Sequence, residues 1–166
     1  RGAVCRVGGA FLNIVFLLFF RPRFLAVGSW SRSLGAWVRW NHPDRGLLTT
    51  GDFLPMVEEE GLMDELSQWV LHAACLQAKS WLDKGFLLEK MAINFSLFTE
   101  QRDLFEMVEG VLDTTQLPPS CLELDIAESL LVGDSEELID CMEQLRKRGV
   151  GVGLDNFGTR VVSLTL

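Results

Sequence analysis

The chain has no Asp or Glu before Asp44, no closely spaced pair of cysteines and no apolar run long enough for a membrane-spanning helix. A spanning helix needs about 20 predominantly apolar residues, and the run over residues 10–20 is shorter. With Arg1 and Arg6 ahead of it, that run imitates the basic and apolar regions of a secretory signal, but no small-residue cleavage site clearly follows. A buried strand over residues 16–20 is expected instead. Cys5, Cys75, Cys121 and Cys141 sit far apart within apolar patterns, which indicates neither a zinc site nor a disulfide framework. Reduced, buried thiols are expected, and with them a cytoplasmic location.

The missing acids divide the chain by charge. Six arginines precede Asp44, whereas the rest carries all 23 acids against nine Lys and Arg, a local balance of −14. With −8 overall, DNA and RNA are excluded as expected partners, because a phosphate backbone calls for a cationic face. What is present is enough for one core: 166 residues, 48% of them hydrophobic.

Apolar, strand-like runs recur at roughly thirty-residue intervals: Met91-Ala92-Ile93-Asn94, Leu122-Glu123-Leu124-Asp125 and Val150-Gly151-Val152-Gly153-Leu154-Asp155. Helical stretches separate them. Leu66, Trp69, Val70, Ala73 and Trp81 fit one helix closed by Lys84-Gly85, and Leu104, Phe105, Val108, Val111 and Leu112 fit a second that ends before Pro118. A third carries Leu138, Cys141, Met142 and Leu145, with Asp134 and Glu137 as a capping pair and Gly149 just past its end. A short helix capped by Thr50 carries Phe53, Leu54 and Val57. This alternation predicts βα units of one parallel sheet or barrel.

Each strand-like run ends on an oxygen donor. Asn94, Asp125, Glu128, Asp155 and Asn156 are hard ligands suited to Mg²⁺ or Mn²⁺ at the C-terminal ends of strands. Acidic residues at strand ends also cap the following helix, and spacing alone leaves both readings open. The Arg146-Lys147-Arg148 triplet is explained by the helix dipole, and glycines 149, 151 and 153 lie within a strand, where they cannot cradle a dinucleotide phosphate. Trp69 and Trp81 fall on a core-facing stripe; Trp37 and Trp40 flank Arg39 on an expected strand, where stacking on a nucleobase is conceivable.

Longer strings carry more information. Arg39-Trp40-Asn41-His42-Pro43, Glu58-Glu59-Glu60-Gly61-Leu62, Ala92-Ile93-Asn94-Phe95-Ser96, Leu122-Glu123-Leu124-Asp125-Ile126-Ala127-Glu128 and Leu154-Asp155-Asn156-Phe157-Gly158-Thr159 together closely resemble the EAL family of cyclic di-GMP phosphodiesterases. The resemblance implies an α/β fold, a partial TIM-barrel-like repeat with the barrel incomplete. It separates a poorly matching segment, residues 1–34, from a partial EAL-like domain, residues 35–166. It also implies metal-dependent hydrolysis of cyclic di-GMP to pGpG, with Mg²⁺ or Mn²⁺ held by Asn94, Asp125, Asp155 and Asn156. Arg39 would contact the ligand's phosphate, and Glu128 would steady the loop after Asp155. A homodimer is implied, as are GGDEF, PAS or sensor domains in a longer parent, to which a membrane attachment could belong.

Several positions depart from the family pattern. The family's name-giving glutamate aligns with Gly35, Asp125 stands for a glutamate, Asn156 for an aspartate, and the family's catalytic lysine would fall beyond Leu166. The chain is therefore expected to be catalytically impaired. The alternatives are a stretch of an active phosphodiesterase, and a non-catalytic cyclic di-GMP sensor or interaction module.

Overall fold

A computed structural model of the chain describes residues 3–4, 15–24, 30–94, 104–127 and 136–155. These residues form β1 (Ala3–Val4), β2 (Val15–Phe24), β3 (Trp30–His42), β4 (Gly46–Leu48), α1 (Thr50–Glu59), α2 (Met63–Asp83), β5 (Lys90–Asn94), α3 (Leu104–Thr115), β6 (Leu122–Ala127), α4 (Glu136–Arg148) and β7 (Gly151–Asp155). The expected strand at residues 16–20 is the middle of β2. No helix among the described residues is long and apolar enough to cross a membrane.

One sheet runs in the order β1-β2-β3-β5-β6-β7, with β4 paired to the far half of β3. β1, β2 and β3 are antiparallel. From β3 onward the pairing is parallel, and each crossover contains at least one helix. Among the described residues the sheet is open, and β1 and β7 are its edges. The parallel βα part is what the spacing of elements predicts, and the mixed α/β, incompletely closed barrel arrangement is what the family resemblance implies.

Strand alternation decides what the helices cover. Ala36, Val38, Met91, Ile93, Leu122, Leu124 and Ile126 are buried on one face, together with the apolar stripes of the helices. Leu138, Cys141, Met142 and Leu145 of α4 are all buried, as their spacing predicts. In α2 the stripe is broader than the sequence implies: Val70, Leu71, Ala74, Cys75 and Ala78 are fully buried, whereas Trp69 and Trp81 are half-buried at its margins. The reason is that α2 packs against both the sheet and α3, so two flanks of the helix are covered. Trp69 meets the Phe16 ring at 5.9 Å and Trp81 meets Phe20 edge-on at 4.9 Å, which ties α2 to β2.

The helix ends are set locally. The cap of α1 is Thr49, one residue before the expected Thr50, because the Asp52 carboxylate reaches back to accept from the Thr49 backbone N–H (2.9 Å) and hydroxyl (2.5 Å). Those two hydrogen bonds hold Asp52 below the usual carboxylate range. At the end of α4, Gly149 takes φ 100° and the Val150 N–H donates to the Leu145 carbonyl at 3.0 Å. Asp134 lies outside the described residues. Arg148 pairs with Glu109 of α3 at 2.7 Å, so the basic last turn joins two helices.

Cys75 and Cys141 are buried free thiols and Cys121 is half-buried; Cys5 lies outside the described residues. Burial alone pushes the Cys75 thiol up to about 12. In the folded chain at mildly alkaline pH, Cys75 is expected to resist a disulfide-exchange reagent such as Ellman's and to react on addition of urea. Peptide mapping of the labelled thiols checks this. Prompt labelling of Cys75 without denaturant would contradict the packing of α2.

Candidate functional site: the uncovered face of the sheet

The sheet face turned away from the helices carries the chemistry. By alternation it presents Ser33, Gly35, Trp37 and Arg39 from β3, Lys90, Ala92 and Asn94 from β5, Glu123 and Asp125 from β6, and Gly151 and Gly153 from β7. Parallel pairing sets these in rows. Gly35, Ala92, Glu123 and Gly151 are successive register partners, and Asn94, Asp125 and Gly153 form the next row.

Asn94 and Asp125, two of the donors singled out from sequence, are thus brought side by side across β5 and β6. Asp155 is the register partner of Ala127, one inward-facing step further along the strands. The Asp155 side chain, Asn156 and Glu128 lie outside the described residues. Gly35 pairs with Arg21 of β2 on one side and Ala92 on the other. A Cβ built on Gly35 would stand 3.1 Å from Trp37 Nε1, tighter than ordinary packing allows without the indole giving way.

Trp37 itself is exposed at 42%. Two guanidinium groups approach its ring, Arg21 at 5.8 Å and Arg39 at 5.9 Å from the centroid. Arg39 Nη1 also donates to the Val38 carbonyl at 2.8 Å. Arg39 is therefore oriented by the strand on which it sits. Trp40, its other tryptophan neighbour, points to the opposite face and packs with Phe16 (6.0 Å) and Phe53 (6.2 Å). The stacking role conceivable for both indoles is therefore sterically open only to Trp37.

Three features escaped the sequence reading. Arg23 of β2 forms ion pairs with Glu123 and with Asp125, the latter at 3.5 Å. Glu123, one inward-facing step below Asp125, belongs to the same charged group. Gly153 makes room for both: a Cβ there would collide with Asp125 Oδ1 and lie 3.1 Å from Glu123 Oε1. The signal was present in the sequence, because glycine inside a strand marks close approach and Leu-Glu-Leu-Asp places two carboxylates on one face.

The group can be tested against a divalent ion. Mg²⁺ prefers near-octahedral coordination by oxygen donors. Among the described residues no three His, Cys, Asp or Glu side chains converge to hold a metal, and both carboxylates of β6 engage Arg23. With Gly35 contributing no side chain, this described donor set does not fit such an ion.

The EAL domain family matches residues 7–166. The chain is 38% identical over 149 residues to the bifunctional diguanylate cyclase/cyclic di-GMP phosphodiesterase MucR of Pseudomonas aeruginosa, covering 89% of this chain and 22% of that protein. It is 32% identical over 148 residues to the cyclic di-GMP phosphodiesterase NbdA of the same organism, covering 89% of this chain and 19% of NbdA. Among solved structures, the PaMucR phosphodiesterase in complex with c-di-GMP superposes with a TM-score of 0.78 at 35% identity, over 89% of this chain and 60% of that one. The chain thus spans about a fifth of the length of these two curated relatives.

Proposed function

Because the chain belongs to the EAL domain family, we propose that it is an EAL-type unit of cyclic di-GMP signalling that binds the dinucleotide and is impaired in its hydrolysis to pGpG. Binding is supported by the uncovered sheet face, where Arg39 offers a planar, permanently charged donor for a phosphate and Trp37 an exposed ring for a guanine. The relatives MucR and NbdA carry cyclic di-GMP phosphodiesterase in their names, and the PaMucR structure contains c-di-GMP.

Impairment rests on one observation above all. Gly35 occupies the place of the family's glutamate, and the indole of Trp37 stands against the direction its Cβ would take. The family's reaction draws on Mg²⁺ or Mn²⁺, which when bound activates water and offsets charge on the phosphodiester. Asn94, Asp125, Asp155 and Asn156 are the residues that would serve it. Of the described members, Asn94 is neutral and Asp125 is already paired with Arg23. Glu128 is retained in the proposal as a support for the loop after Asp155.

Incubation with cyclic di-GMP and Mn²⁺, followed by chromatography, is expected to yield no pGpG above the rate of a protein-free control. Turnover comparable to that of MucR would sink the impairment. A second reading, an active phosphodiesterase of which this chain is one stretch, is favoured by the small share of MucR that it spans. Joining the chain to its flanking gene sequence and repeating the assay separates the two readings. A sensor or interaction module, with GGDEF, PAS or sensor neighbours and a homodimeric state, is compatible with either. Calorimetric titration showing no cyclic di-GMP binding would remove the sensor.

A further inference from the structure

Arg23 makes a contact that reaches across two intervening strands. It belongs to β2 and its partners to β6, with β3 and β5 lying between them. Three strand spacings amount to about 14 Å, so the contact of the guanidinium with Glu123 and Asp125 favours a curled, barrel-like sheet over a flat one. The intervening residues of the Glu123 row are Gly35 and Ala92, one without a side chain and one with only a methyl, and the Trp37 indole lies beside Gly35. A register shift between Pro22 and Phe24 places Arg23 at an irregularity of β2, where a bulge re-aims a side chain.

The two carboxylates need such a cation. Glu123 and Asp125 are two residues apart on one strand face, at 19% and 15% side-chain exposure, and Gly153 lets both lie close to β7. Like charges so placed repel one another, and a positive charge beside both offsets that repulsion. Arg23 supplies it, with a fork that can engage two carboxylates at once.

We propose that Arg23 acts as a built-in cation, taking from within the chain the place that a divalent ion would hold beside Asp125 on the concave face. The proposal rests on the EAL reading of that face, and it accounts for how the face persists with Gly35 in place of a ligand. It turns the mismatch between donor set and metal into a property of the fold: one of the two carboxylate charges is offset by an ion pair from within the chain.

The test uses Mn²⁺ alone, with no nucleotide, so that its failure is distinct from a failure of cyclic di-GMP binding. In the native chain, adding Mn²⁺ at fixed ionic strength is expected to leave Tm unchanged and the free Mn²⁺ resonance signal undiminished. Arg23→Gln is expected to lower Tm in chelator, to bind Mn²⁺ at least tenfold more tightly than the native chain, and to regain Tm when the ion is added. Arg23→Gln combined with Asp125→Asn should lose that gain. Mn²⁺ uptake or stabilisation in the native chain equal to that of the variant would overturn the proposal. So would an Arg23→Gln chain that folds but gains no affinity. The native measurement stands by itself if the variant does not fold.

Discussion

A Phe53→Ala chain is expected to lose about 3–5 kcal/mol of stability, the range for removing a large aromatic from a core. Phe53 is fully buried and is among the largest side chains enclosed in the molecule. It lies 5.4 Å from Phe16 of β2 and edge-on at 6.2 Å to Trp40 of β3, so it joins the first helix to both strands. Aromatic pairs in such geometry add about 0.5–1.5 kcal/mol beyond area burial. Against a typical total of about 5–15 kcal/mol, the loss would bring the chain close to unfolding. Urea titration followed by tryptophan fluorescence measures it; a change below about 1 kcal/mol, the ordinary effect of a substitution, would mean that α1 is not docked as described.

For the ligand, the largest expected effect is at Arg39. Arg39→Ala should weaken cyclic di-GMP binding by roughly 10- to 100-fold, since a hydrogen bond to a charged group contributes about 1.5–3 kcal/mol and each 1.4 kcal/mol is about tenfold. Arg39→Lys should recover only part of this, because lysine keeps the charge but not the planar fork. Calorimetry on both variants, with Tm as a control for folding, is the measurement. Equal affinity in the native and alanine chains would place the phosphate elsewhere on the face. Because Arg39 also lies over Trp37, a small change in the tryptophan emission of the variant is expected even without ligand.

The periodic elements were legible because their causes are local. The stripe of α4 and the glycine after it follow from spacing within thirteen residues and the one that ends them. The cap of α1 was misplaced by one residue because Thr49 and Thr50 are equivalent as hydroxyls, and only the reach of Asp52 distinguishes them. In α2 the expected stripe included Leu66 and Val70, which are buried, but it also took in Trp69 and Trp81, which are half-buried, and left out the fully buried Leu71 and Ala74. Which side of a broad apolar surface is deepest depends on what packs there, and α3 comes from later in the chain.

The same division runs through the site. The sequence by itself determined the family and the strands that carry Asn94, Asp125 and Asp155, although β6 runs on past Asp125 to Ala127, because motif strings and strand alternation are written in consecutive residues. Only the tertiary structure decided that Glu123 joins Asp125, that Gly153 admits both, that Trp37 stands over the Gly35 position, and that Arg23, one hundred positions from Glu123, pairs with both carboxylates. Charges meet through space, and the curl of a sheet sets distances that no spacing along the chain encodes.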